Sequence, residues 1–300
     1  MSLRIWIWLL SLSVLWGGSF FFAKVATGEL RPLTVVFGRV AFAALALNAF
    51  LVATGRNPFR RTTPWSTFIA MGVLNSLVPF SLIFWGQTHI AVGLASILNA
   101  TTPLFTLVVA HFLTPDERMT GAKTSALLLG LAGVALLLGP DILLQTDASV
   151  WGEVACLGAA LSYAFAGIYG RRFKTMGINP IEAAAGQVTA SAVLILPIML
   201  AVDQPWMLPA IPAATTWAAL IALALLSTAL AYVLYFRILA AAGATNLLLV
   251  TFLIPPIGVA LGAAFLDERL ALRHFEGMAL IGVGLAIIDG RIWRLVRRAK

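Results

Sequence analysis

Charged residues and cysteine are scarce in this sequence. Of its 300 residues only 11% are charged, 61% are apolar, and the mean hydropathy is +0.97. These proportions exclude an ordinary soluble enzyme. Because the sequence has a single cysteine, Cys156, a disulfide framework and a cysteine-rich metal site are excluded. Cys156 lies in an apolar run.

Carboxylates are missing from the middle of the apolar runs, since all twelve lie at or near run ends. A charge at mid-membrane is usually retained for a proton relay or a counter-ion, so the usual means of exchanging a cationic drug against protons is absent. Enzyme motifs such as G-x-x-x-x-G-K-[ST], H-E-x-x-H and G-x-S-x-G are also absent, and the three histidines are far apart. We therefore predict no catalytic residue, no metal and no cofactor.

What the sequence does contain is a series of long apolar runs. A membrane-spanning helix needs about 20 mostly apolar residues. Ten runs approach that length, at 3–24, 33–54, 66–88, 92–113, 122–139, 154–171, 181–202, 213–236, 244–266 and 272–288. The pattern predicts an all-α integral membrane protein with ten transmembrane helices in a lipid bilayer.

The net charge of +8 is carried by Lys and Arg that flank the runs, where they act as topology signals. Fifteen of them lie on the side of both termini and four on the opposite side. We expect cytoplasmic termini and no nucleic-acid partner. The acids Asp141, Asp147, Glu153 and Asp203 are assigned to the opposite connections.

The chain also repeats itself after about 150 residues. A shift of 147 residues aligns Trp16-Gly17 with Tyr163-Ala164. A shift of 152 aligns Trp65, Phe84 and Pro103 with Trp217, Phe236 and Pro255. A shift of 151 aligns Asp116-Glu117-Arg118 with Asp267-Glu268-Arg269. The repeating unit has five helices, and because five is odd the second unit has inverted topology. We predict two five-helix repeats, residues 1–146 and 147–300, around a central cavity, as in alternating-access carriers. A chance match of apolar composition is the alternative.

Arg39 is the one cation inside a run, about seven residues or on the order of 10 Å deep. It either snorkels to the headgroups, pairs to tie helices together, or anchors a substrate carboxylate.

Aromatic and amide side chains near the middle of the runs suit a cavity for a small amphipathic solute. The predicted substrate-binding residues are Trp16, Phe20, Arg39, Asn75, Phe80, Asn99, Tyr163, Gln187, Tyr232 and Asn246. Taken singly, each is equally compatible with helix packing or lipid contact. The intramembrane prolines Pro79, Pro103, Pro255 and Pro256 are predicted kinks or hinges.

Three motifs together resemble the EamA family of the drug/metabolite transporter superfamily over essentially the whole chain. They are Trp16-Gly17-x-x-Phe20-x-x-x-Lys24, Phe37-Gly38-Arg39, and Pro255 followed thirteen residues on by Glu268. The resemblance implies ten helices, cytoplasmic termini, and export of amino acids or other small metabolites across a bacterial inner membrane. The sequence departs from the family pattern in two places. Pro103 precedes Glu117 by fourteen residues, and Tyr163-Ala164 replaces the Trp-Gly pair in the second half.

Among the branches of that family, the aromatic residues are similar to those of aromatic amino-acid exporters of the YddG type. The alternatives to a carrier are a membrane-embedded enzyme and a lipid-binding or scaffold protein. An enzyme needs clustered nucleophiles, acids or metal ligands, and a scaffold needs no duplicated cavity.

Overall fold

The computed structural model describes residues 2–56, 64–114, 119–138, 148–235, 237–238, 241 and 250–289. This part of the chain is helical and contains no strand. Its main helices are α1 (Leu3–Thr27), α2 (Pro32–Ala53), α3 (Trp65–Gln87), α4 (Val92–Leu113), α5 (Gly121–Leu138), α6 (Ala148–Tyr169), α7 (Pro180–Val202), α8 (Ala214–Tyr235), α9 (Val250–Phe265) and α10 (Leu272–Asp289).

Each predicted apolar run overlaps one of these helices. Within the described residues, seven helical stretches are long and apolar enough to cross a membrane: α1 to α4, α7, α8, and α6 with its extension to Thr175. Shorter apolar helices lie at Gly121–Leu136 and Leu253–Phe265. The all-helical membrane architecture is therefore as predicted at the level of helices.

One predicted boundary was wrong. Glu153 was assigned to a connection, but α6 begins at Ala148 and includes Glu153, which is only 9% exposed. Glu153 is the sixth residue of α6, so the helix begins five residues before the charge that was taken to precede it.

Two of the four prolines predicted as hinges lie near irregular parts of their helices. Pro79 follows a π-helical segment of α3, and Pro103 is the second residue of the part of α4 that begins at Thr102, after a break at Ala100 and Thr101. Pro255 and Pro256 lie inside α9. Movement at these positions remains a prediction.

Two π-helical segments occupy corresponding positions, Val73–Leu77 in α3 and Leu225–Leu230 in α8. Their first residues differ by 152, which is one of the shifts that relate the two halves of the sequence. A π turn leaves carbonyls without their usual partners, and such segments are frequent at functional sites. In α3, the Ser191 hydroxyl of α7 donates to the Gly72 carbonyl at 3.0 Å, and the Ser162 hydroxyl of α6 donates to the Leu74 carbonyl at 2.7 Å.

Small residues allow the helices to approach closely. A Cβ at Gly86 of α3 would lie 2.8 Å from the Gly152 carbonyl oxygen of α6, and a Cβ at Gly17 of α1 would lie 2.7 Å from Ile257 of α9. The principal helix pairs are α1 with α9, α2 with α7, α3 with α6, and α5 with α10. This packing encloses a core of buried apolar side chains.

Side chains from neighbouring segments cap helix termini at one end of the bundle, which we name the capped end (residues 24–34, 87–93, 202–216 and 266–271). Glu268 accepts hydrogen bonds from the backbone N–H groups of Val92 (2.8 Å) and Gly93 (3.2 Å), at the start of α4. Lys24 of α1 donates to the carbonyls of Gln87 and Ile90, in the turn that precedes α4. The turn between α3 and α4 is thus held from two sides, by charges that suit the polarity of each helix end.

Two more carboxylates cap helices at this end. Asp203 accepts from the Thr34 N–H (2.6 Å) and the Thr34 hydroxyl (2.9 Å) in the first turn of α2. Glu29 accepts from the Ala213 N–H (2.7 Å) and the Thr216 hydroxyl (2.6 Å) at the start of α8. These two hydrogen bonds, the one from Thr216 foremost, hold the pKa of the Glu29 carboxyl below its usual range.

Candidate functional site

A cavity of about 830 Å³ lies between the helices, with a lining that comes from α1, α2, α3 and α4 and from α6, α7, α8 and α9. Nine of the ten predicted binding residues line it: Trp16, Phe20, Arg39, Asn75, Phe80, Asn99, Tyr163, Gln187 and Tyr232. The tenth, Asn246, lies outside the described residues. Their contact with a solute remains a prediction, but the structure places these nine around one space.

An amide and phenol network forms one wall of the cavity. The Asn75 amide donates to Gln187 Oε1 (3.1 Å) and to the Tyr232 hydroxyl oxygen (3.2 Å), which also accepts from the Gln187 amide (3.0 Å). These three side chains come from α3, α7 and α8. The network joins the two halves of the chain, and its neutral dipoles face the cavity without a full charge.

Arg39 forms the charged part of the lining. Its side chain is 7% exposed, so it does not snorkel to the headgroups. The Nε–H donates to the Thr228 hydroxyl at 2.9 Å, which ties α2 to α8, and the guanidinium carbon lies 3.8 Å from the centroid of the Phe80 ring. One of the alternatives considered above, a pairing that ties helices together, is therefore observed, and the group also borders the cavity.

Aromatic rings form another part of the cavity wall. The rings of Trp16 and Tyr235 have centroids 5.8 Å apart, and Phe80 stacks on Phe84 at 6.0 Å with an interplanar angle of 7°. All four line the cavity. Such surfaces favour an apolar or aromatic group of a ligand.

Within the described part of the chain, the lining of the cavity extends to one end of the bundle. Its lining includes Gly170, Phe173, Lys174 and Gly177 of the connection between α6 and α7, where Lys174 and Gly177 are exposed. None of its lining residues, among those described, comes from the capped end. As far as the described residues show, the cavity is accessible from the end that contains the α6–α7 connection and closed at the capped end.

Two cavity residues, Ser227 and Thr228, were missed from the sequence. They lie in the π segment of α8, and both are almost fully buried. The shift of 152 residues aligns Ser227 with Asn75 and Thr228 with Ser76. Because Asn75 was a predicted binding residue, the repeat could have indicated these two positions. None of the four predicted hinge prolines is among the described lining residues.

Metal-ligating side chains do not cluster in the described part of the chain, where no three of His, Cys, Asp and Glu are close enough to hold an ion. The polar side chains of the cavity are amides, hydroxyls and the Arg39 guanidinium, together with Lys174 at its mouth.

Long apolar helices around a cavity of solute size define a multi-pass membrane protein with a central binding space. The chain belongs to the EamA-like transporter family, whose model matches residues 3–139 and again 150–289. It is therefore a membrane transporter, as its sequence motifs predicted.

Known relatives agree with this class. The "uncharacterized transporter YoaV" of Bacillus subtilis is 25% identical over 288 residues, which are 94% of this chain and 95% of the relative. The "uncharacterized inner membrane transporter YedA" of Escherichia coli (strain K12) is 26% identical over 93% of this chain and 89% of its own length. A "probable amino-acid metabolite efflux pump" of the same strain is 28% identical over 94% of this chain and 93% of its own.

A solved crystal structure has the same fold, with a TM-score of 0.67 and 20% sequence identity over 95% of this chain and 96% of the other. The likeness extends over both halves of the bundle.

Proposed function

We propose that this protein exports small metabolites, foremost amino acids with an apolar or aromatic side chain, across the bacterial inner membrane by alternating access. The observation that carries the proposal is the cavity, which both halves of the chain line and which, within the described residues, is open at one end only. The name of the efflux pump relative supports the amino-acid class. The aromatic wall near Trp16 and Phe80 supports the apolar side chain.

The proposal includes ten membrane crossings in two inverted five-helix halves, residues 1–146 and 147–300, with both termini in the cytoplasm. Support comes from the double match of the family model, the π segments at a spacing of 152 residues, and the 15 to 4 distribution of Lys and Arg. In this topology the cavity opens to the cytoplasm, and the capped end is the closed periplasmic gate. The structure is then the state that loads solute from inside the cell.

Counterflow in proteoliposomes tests the function. A panel of neutral, acidic, basic and aromatic amino acids should identify at least one solute whose uptake is driven by the same solute inside. Flux of none of them would argue for a scaffold or lipid-binding protein instead, and chemical conversion of a solute would argue for an enzyme.

Matched variants test the site. Alanine at Trp16, Asn75 or Tyr232 should lower flux about tenfold or more at unchanged membrane abundance, because each removes a wall or a hydrogen bond of the cavity. Leu128→Ala is the control, since Leu128 on α5 is 62% exposed and outside the cavity lining. Silent cavity variants together with an inactive Leu128→Ala would show that the site lies elsewhere.

A further inference from the structure

The cavity holds a buried positive charge without a matching acid. Arg39 is 7% exposed, and no carboxylate of the described residues lies within 4.0 Å of its nitrogens. No Asp or Glu occurs among the described lining residues, and the other cation, Lys174, is exposed at the mouth. The protein therefore leaves the cavity positively charged where solute would bind.

A buried charge needs a partner, and the groups around Arg39 provide only part of one. The Thr228 hydroxyl takes the Nε–H at 2.9 Å, and the ring faces of Phe80 and Phe84 lie 3.8 and 5.7 Å from the guanidinium carbon. A cation–π contact offsets some of the lost hydration but supplies no hydrogen-bond acceptor. The terminal nitrogens of a guanidinium form a planar fork whose geometry fits a carboxylate with two parallel hydrogen bonds.

The remaining polar groups of the cavity are neutral. Ser227 is 1% exposed, and its hydroxyl has no hydrogen-bond partner within the described residues; the same holds for the buried Oδ1 of Asn99. Both residues line the cavity. They can accept a hydrogen bond from an amine, an amide or a hydroxyl, and none of them requires a positively charged group.

We infer that Arg39 makes a carboxylate obligatory in the transported solute and that an ammonium group is dispensable. The inference rests on the proposed function, because it concerns what the same cavity carries. If only the carboxylate is required, the solutes include amino acids and the carboxylic acids that lack the amino group. The amines that lack the carboxylate are excluded.

Solutes that differ by one group test this in the wild-type protein. Phenylalanine, 3-phenylpropionate and phenethylamine form one series; leucine, 4-methylpentanoate and 3-methylbutylamine form a second. Each compound competes against counterflow of the best labelled solute of the panel. In whichever series is recognised, the acid should compete within about tenfold of the amino acid, and the amine about 100-fold less well, since truncating one partner of a buried charge pair has effects of that order.

Variants test whether Arg39 causes the preference for the acid over the amine. Arg39→Gln should collapse the preference for acid over amine toward unity, and Arg39→Lys should retain its direction with a smaller ratio. Arg31→Gln is the matched control, because Arg31 precedes the same helix, is exposed and lies outside the cavity lining. It should leave the preference unchanged.

The outcomes separate the two proposals. Equal competition by acid and amine in the wild type, or a preserved preference in Arg39→Gln, would overturn the inference and leave the carrier function standing. The wild-type series decides the matter even if Arg39→Gln does not fold. Absence of flux for every solute would overturn both.

Discussion

Substitution of Glu268 should open the capped end. The carboxylate accepts two backbone hydrogen bonds at the start of α4, at 2.8 and 3.2 Å, and it comes from the connection between α9 and α10. In Glu268→Gln one oxygen remains as an acceptor, and the new NH2 group faces an N–H donor. A hydrogen bond to a charged group contributes about 1.5–3 kcal/mol and one between neutral groups about 0.5–1.5 kcal/mol, so we expect a loss of about 2 kcal/mol.

That loss falls on the conformation in which the capped end is closed, because the two hydrogen bonds join the α9–α10 connection to the start of α4. About 2 kcal/mol corresponds to a roughly 30-fold rise in the population open at that end. Position 19 is suited to measure this population, since Ser19 lines the cavity and is 9% exposed. In a Cys156→Ala background, a cysteine at Ser19 should react about 30-fold faster with an impermeant maleimide added to the periplasmic face.

Glu276→Gln is the control for this measurement, because Glu276 lies on the exposed side of α10 and should leave the labelling rate unchanged. Unchanged or slower labelling in Glu268→Gln, with thermal stability intact, would refute the assignment of Glu268 to closure. Faster labelling in both variants would show a general loosening instead.

Further predictions follow from other features. Because no described lining residue is a carboxylate, flux should persist without an imposed proton gradient; uptake that appears only with a gradient would contradict this. A cysteine at Ser149 should react with an impermeant reagent from outside the cell and one at Arg60 should not; the reverse pattern would invert the topology. Gly86→Ala should lower stability in detergent by about 1–3 kcal/mol, since its Cβ would lie 2.8 Å from a carbonyl oxygen of α6, whereas Gly282→Ala has open space and should be neutral. The lowered pKa of Glu29 means that its capping contribution is complete above the usual Glu range and lost as the pH falls through the folded-state pKa. The difference in melting temperature between wild type and Glu29→Gln should therefore be constant near neutral pH and disappear well below about pH 4.

The helices could be predicted because each apolar run must satisfy its backbone within the membrane, which leaves little choice besides a helix of that length. Glu153 shows the limit of that reasoning, since a charge was taken to end a run and in fact lies within α6. Apolar patterning shows where the charge lies but not where the helix begins, which is at Ala148, five residues earlier.

The cavity could be predicted in large part because polar and aromatic side chains at the centre of matched runs have to face a shared interior. The phase of the helices could not be predicted. A π segment rotates the residues that follow it relative to a regular α-helix, so the inward direction of Ser227 depends on a local irregularity that composition does not reveal. The orientation of Arg39 likewise depends on Thr228, a contact between residues 189 positions apart.

The capping of α4 has a consequence for how the protein tolerates mutation. Glu268 bonds to backbone N–H groups, which every residue except proline supplies, so its partners at Val92 and Gly93 need no particular side chain for this contact. A saturation library should accordingly show constraint on the carboxylate at position 268 and, at position 92, exclude proline for the sake of the cap; position 93 is limited further, because a Cβ there would lie 3.1 Å from Leu270 and Val259. Covariation between the two sides of the contact should be weak, even though the contact joins the two halves of the chain, because selection can act on only one of them.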